Sequence, residues 1–321
     1  MGNFFSSLFS FSQEEREGES REKNDRKKFD ILKYDGVRAQ KIGKLAYAIK
    51  CFTEAIAIQE DFETMSYLVG AYTMAHEPEK ALEVLDRMQD IDSSHINIMY
   101  TRVNVFFLLN REEDVIKECL HILELEPSSH IAYLLLGRAK KNMGNLDDAF
   151  DDLTTSISLN EEIPDVYLLR SEVLYMKGNA TDALADAEKA LSLEGDDEAA
   201  NLLKGQILEL SGNPAGAEEC YRDVLDLNPF NEKAGLLLAD LLITSDQFEE
   251  AGALLDEIIE LNPSSVKAYE ERGRLKNLMG NAAGSEEDLL RAGELKNAEM
   301  EILADAGKPA DFESMNKGVI F

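Results

Sequence analysis

The side chains able to do chemistry unaided are few, and their spacing does not assemble them. Three cysteines, Cys51, Cys119 and Cys220, stand far apart with no Cys-x-x-Cys pair, so neither a zinc knuckle nor a vicinal redox dithiol is encoded. An odd number of thiols without a secretory signal predicts free, buried cysteines in a reducing, cytoplasmic compartment. The histidines, His76, His95, His121 and His130, keep no metal-ligand spacing. There is no Gly-rich phosphate loop, no histidine–carboxylate cluster and no nucleophile elbow, so the expectation is a protein that is not an enzyme and holds no metal or cofactor.

Charge narrows the partners. The chain has 33 Lys+Arg against 63 Asp+Glu, a formal net charge of −30, and a nucleic-acid backbone requires a basic footprint instead. Asp147-Asp148 with Asp151-Asp152, and Glu249-Glu250, predict a solvated acidic face; attraction of a basic partner is the alternative reading. No apolar run reaches the length of a membrane span.

The elements that must position any site are legible from a repeat. Gly144, Gly178 and Gly212 lie 34 residues apart, as do Ala149, Ala183, Ala217 and Ala251. Pro229 and Pro263 keep the same period, and Pro127 lies three periods before Pro229. Gly137, Gly205 and Gly273 recur every second period, Gly280 continues the first ladder, and Ala81 and Ala48 extend the alanines backwards across a one-residue deletion. Eight repeats result, beginning near 29, 62, 96, 130, 164, 198, 232 and 266.

Residues 130–163 show what one repeat must be. Tyr133, Leu136, Gly137, Lys140 and Met143 recur at helical spacing, Gly144-Asn145 interrupts, and Leu146, Ala149, Phe150, Leu153, Ile157 and Leu159 resume it. Two antiparallel helices joined by a tight turn follow. The turn glycine suits a left-handed C-terminus, and Asn145, Asn179, Asn213 and Asn281 occupy the next cap position. Pro78 and Pro214 fall in a first helical turn. The alanine ladder and the alternate glycines mark close helix approach.

These ladders together resemble the tetratricopeptide repeat family, whose hairpins carry a glycine in the first helix, a small turn, an alanine early in the second helix and, in many repeats, a closing proline. The resemblance covers about 29–299 and is best in repeats four to seven. The chain departs from it in having no tryptophan, in the weak third repeat with Asn110 in the turn, and in Ser285 where alanine is usual. It implies an all-α fold, a right-handed α-solenoid superhelix of about eight 34-residue helix-turn-helix repeats, preceded by a flexible leader (1–28) and followed by a tail (300–321). It further implies a concave groove, built from first helices, that binds a peptide or partner protein.

By period, the groove residues are Tyr100, Asn104 and Phe107, then Leu134, Arg138 and Lys141, then Leu168, Glu172 and Tyr175. Leu202, Gln206 and Glu209 follow, then Leu236, Asp240 and Ile243, then Glu270, Arg274 and Asn277. For the ladder of Leu134, Leu168, Leu202 and Leu236 two readings stand: packing between hairpins, or an apolar track for a partner. Some relatives clamp a C-terminal carboxylate with paired basic residues and asparagine. Here Arg138 and Lys141 share one repeat and Glu172 follows, so that clamp is not expected.

The tails offer the competing functions. Residues 1–12 place Phe4, Phe5, Leu8, Phe9 and Phe11 on a short apolar stretch within a Met-Gly-x-x-x-Ser start, a myristoylation pattern. The chain closes on Gly318-Val319-Ile320-Phe321. Docking of these ends onto a groove or membrane surface, giving a homo-oligomer or a membrane-associated adaptor, stands against a plain disordered end.

Overall fold

The computed structural model describes the backbone of residues 2–306 and the side chains of residues 21–301. Among these residues are sixteen helices and no strand, arranged as eight hairpins. They are α1 (Gly2–Lys41) with α2 (Leu45–Ile58), α3 (Phe62–Met74) with α4 (Pro78–Ile91), α5 (Ile96–Leu108) with α6 (Glu112–Leu125), and α7 (His130–Asn142) with α8 (Leu146–Leu159). Then follow α9 (Pro164–Met176) with α10 (Ala180–Glu194), α11 (Glu198–Leu210) with α12 (Pro214–Leu227), α13 (Glu232–Thr244) with α14 (Phe248–Leu261), and α15 (Val266–Leu278) with α16 (Ala282–Ala306). The chain divides between Glu161 and Glu162 into two compact bodies of four hairpins each.

The expected leader is helical and continuous with the first hairpin. No proline interrupts it, and acids four residues ahead of bases, as in Glu22 and Arg26, favour helix. The apolar positions Phe4 to Phe11, as side chains, and the Gly318–Phe321 tip lie outside the described residues. At the other end α16 runs to Ala306, beyond the expected limit of 299.

Each hairpin turns at one left-handed residue. Gly144, Gly178, Gly212 and Gly280 have φ of 75–80° there, and His76, Asn110 and Asp246 adopt φ of 51–58° at the same position without glycine's freedom. Asn179, Asn213 and Asn281 cap the following helix by accepting backbone N–H groups of Asp182, Gly216 and Gly284. Asn145 makes no such bond, so that cap is corrected.

Packing inside a hairpin depends on small residues. A Cβ on Gly137 would meet Leu153 at 2.5 Å, and one on Gly205 would collide with the Tyr221 ring. In repeat five the position is Ser171, whose hydroxyl is buried and donates to the Ala183 carbonyl at 2.7 Å. Ala48, Ala81, Ala149, Ala183, Ala217 and Ala251 are all 0% exposed. The three cysteines are free and buried, and burial pushes the Cys119 thiol up to about 12, so it is held protonated.

Candidate functional site

The face formed by successive first helices is fixed from beneath by charge. Sixteen residues separate a first-helix cation from a second-helix acid in Arg102–Glu118 (3.2 Å), Arg170–Asp186 (2.7 Å) and Arg272–Asp288 (2.6 Å). Cations at this position also reach back sixteen residues: Arg102 to Asp86, Arg272 to Asp256 at 2.6 Å, and, in repeat six, Lys204 to Glu188 at 3.8 Å. Repeat seven fills both positions with leucine, Leu238 and Leu254. Repeat four pairs Asp152 with Lys140 instead, at 2.7 Å. Sequence reasoning missed this system, although its signal, basic and acidic residues at a fixed offset inside a known period, was present.

These groups titrate according to their surroundings. Burial pushes the Glu118 carboxyl up despite Arg102, and pushes Asp152 up despite the hydrogen bond from Lys140. Burial acts on Asp288 in the same direction, but hydrogen bonds from Arg272 and Lys276 outweigh it and hold that carboxyl below its ordinary range.

The expected groove residues are distributed unevenly over this face. Asn104, Arg138 and Arg274 are exposed, while Leu134, Lys141, Leu168, Glu172, Tyr175, Gln206, Leu236 and Asp240 are half-buried. Adjacent first helices do bring some together. The Arg138 guanidinium lies 5.9 Å from the Phe107 ring, and Arg274 forms an ion pair with Asp240, 34 residues earlier. Tyr100 is half-buried, with its hydroxyl 2.6 Å from Ser129 Oγ, so it ties a loop down. Leu202 is 9% exposed and Ile243 is 3% exposed, both inside the core of the second body; neither is available to a partner. Ile243 fails because a one-position shift decides which residue at the end of a first helix faces out.

The exposed position is the next one. Met74, Leu108, Met176, Leu210 and Leu278 end their helices 53–57% exposed. Two of them border a furrow of about 550 Å³ in the first body, between α3 and α5. Its floor is apolar, from Val69, Leu85, Met88, Ile98 and Val105, and its walls carry Ser66, Thr73, Asn97, Thr101 and Asn104. Gly70 occupies the position that holds Asn104, Arg138, Glu172, Gln206, Asp240 and Arg274 in later repeats. Gly70 lines the furrow, and a Cβ there would lie 3.3 Å from Gln40 Nε2 of α1 with no other atom within 4 Å. The single carboxylate on the rim, Glu63, is neutralised by Lys33 at 2.6 Å. Lys33 also holds the helix-capping Asp61 at 2.9 Å. The result is an apolar-floored channel, also lined by His95, whose one lining carboxylate is ion-paired, on a strongly acidic protein. Among the described residues no histidine, cysteine or carboxylate group clusters as a metal site would, and no helix is long and apolar enough to cross a membrane.

Tetratricopeptide repeat models match residues 134–198, 178–232 and 210–271. Anaphase-promoting complex subunit 3 of Dictyostelium discoideum is 28% identical over 110 residues, which are 33% of this chain but 11% of that protein. Among solved structures, YrrB, a TPR protein with an unusual peptide-binding site, is 18% identical with a TM-score of 0.47, over 59% of this chain and 98% of YrrB. MamA from Desulfovibrio magneticus RS-1 is 18% identical with a TM-score of 0.49, over 53% of this chain and 96% of MamA.

Proposed function

Because the chain is a tetratricopeptide repeat protein, we propose that it is a non-catalytic interaction scaffold binding a peptide or a segment of a partner protein on its first-helix face, with the α3–α5 furrow as the principal seat. The observation that carries this reading is the furrow itself, lined by Gly70, with an apolar floor and hydroxyl and amide groups on its walls. Such a channel takes apolar side chains onto Val69, Met88 and Val105, and leaves amides and hydroxyls beside the peptide backbone. Its walls are helices already packed, so a flexible partner is ordered without the scaffold having to fold. Free, buried thiols support a reducing compartment, and we assign the protein to the cytoplasm. The acidic balance supports protein rather than nucleic-acid partners.

A displayed peptide library screened against the intact chain tests the site. Selected peptides should lose at least about tenfold in affinity for Gly70→Gln, which adds bulk to the furrow's lining, and for Asn104→Glu, which charges its wall. Glu219→Gln, on the exposed side of α12, should bind as the parent does. Peptides that bind both furrow variants unchanged would overturn the assignment.

A further inference from the structure

Two helices carry, on open faces, residues that by position belong in the interior. Ile31 of α1 is 52% exposed, although its equivalents in later repeats, among them Thr64, Ala132 and Ala268, are 0% exposed. Arg38 is exposed where Ala71, Ala139 and Leu275 are buried at 0–2%. At the other end of the helix order, Leu289 of α16 is 51% exposed, whereas Cys119, Tyr221 and Leu255 at that position are 0% exposed. Leu290 is 65% exposed. It replaces the residue that, as Asp86, Glu188 and Asp256, forms an ion pair with the following repeat. A first helix normally receives a second helix on the α1 face, and a second helix receives a first helix on the α16 face. Terminal repeats that stand alone in water present polar outer faces there.

We propose that these faces bind each other between copies of the chain, α16 of one molecule docking on α1 of the next, as α14 docks on α15 and α2 on α3 within the chain. Charge selects this pairing over two α16 helices meeting. Lys27, Ile31, Tyr34, Arg38 and Lys41 are all exposed at spacings of three and four residues, so they form one basic and apolar stripe. The α16 face is acidic around its leucines, with Glu286 and Glu287 exposed beside one exposed cation, Arg291, which pairs with Glu294 at 3.0 Å. Opposed α16 helices would set these carboxylates against one another, whereas α1 supplies cations to them. The contact joins unlike surfaces, so copies add in a row or close into a ring.

Sedimentation velocity of the intact chain over a concentration series is the test. The sedimentation coefficient should rise with concentration and fall back as salt is added. Ile31→Asp and Leu290→Asp, both at exposed positions, should each abolish association while leaving the far-ultraviolet dichroism unchanged. Mixing the two variants should restore one-to-one dimers and nothing larger, because each retains the face the other has lost. A parent chain that stays monomeric throughout, an Ile31→Asp variant that still dimerises, or a mixture that stays monomeric would overturn the proposal.

Discussion

Arg170 grips Asp186 with two parallel hydrogen bonds, Nε to Oδ2 at 2.7 Å and Nη2 to Oδ1 at 2.8 Å, across the α9–α10 hairpin. The side chains are only 18% and 9% exposed. Arg170→Leu leaves the carboxylate buried without its cation and is expected to cost about 3 kcal/mol. Adding Asp186→Leu should recover most of that loss, since repeat seven folds with Leu238 and Leu254 at these positions. Urea unfolding of the two single variants and the double variant measures the coupling.

Ala183 is 0% exposed, and its carbonyl accepts the Ser171 hydroxyl. Ala183→Leu forces an isopropyl group into that contact and should destabilise the protein by roughly 1–3 kcal/mol. An unchanged melting temperature would show that α9 and α10 leave room between them.

The left-handed turn position separates two classes of repeat. Gly212→Ala, at φ 75°, should cost about 1–2 kcal/mol, because a Cβ is strained there. His76→Gly, at φ 57°, should be neutral or stabilising by up to about 1 kcal/mol. Thermal unfolding of both variants gives the comparison, and a destabilised His76→Gly would contradict it.

Two kinds of carboxyl give opposite pH responses. Asp152 and Glu118 are raised by burial, against the pull of Lys140 and Arg102. In the folded chain each therefore holds a proton at a pH where the unfolded chain has released it. Their contribution to stability rises as pH falls from neutral through the folded value, and levels off near the unfolded value of about 4. Asp288 is lowered, with burial outweighed by Arg272 and Lys276, so its contribution is present above the ordinary value and lost as pH falls through the folded one. The urea midpoint should gain more between pH 7 and pH 5 in the parent than in Asp152→Asn. Equal gains would remove Asp152 from this account.

The hairpins were legible because their constraints are local. A glycine after a helix, an alanine at a close contact and a proline in a first turn each act within one repeat and recur with the period. The binding face was less so. Asn104, Arg138 and Arg274 are exposed as their period predicts, but Ile243 is buried and Met74 and Leu108 take the outward position. Helical phase at the last turn decides that, and one residue is about a hundred degrees of rotation. The α3–α5 furrow escaped because a channel lined by ordinary apolar, hydroxyl and amide side chains leaves no motif. The ion pairs escaped for a different reason: each acid lies among many, and only the partner sixteen residues away distinguishes Asp186 from its neighbours.

Those pairs also make the order of the repeats part of the message. Arg272 reaches back to Asp256 as well as inward to Asp288, so repeat eight is fitted to the repeat it follows. Moved behind repeat three, it would set Arg272 against Leu120, an apolar residue that offers no acceptor. Repeat seven, which enters with Leu238, makes no such demand of its predecessor. The eight hairpins share an outline but are not interchangeable bricks, and recombination that shuffled them would be filtered by which cations were left facing leucine.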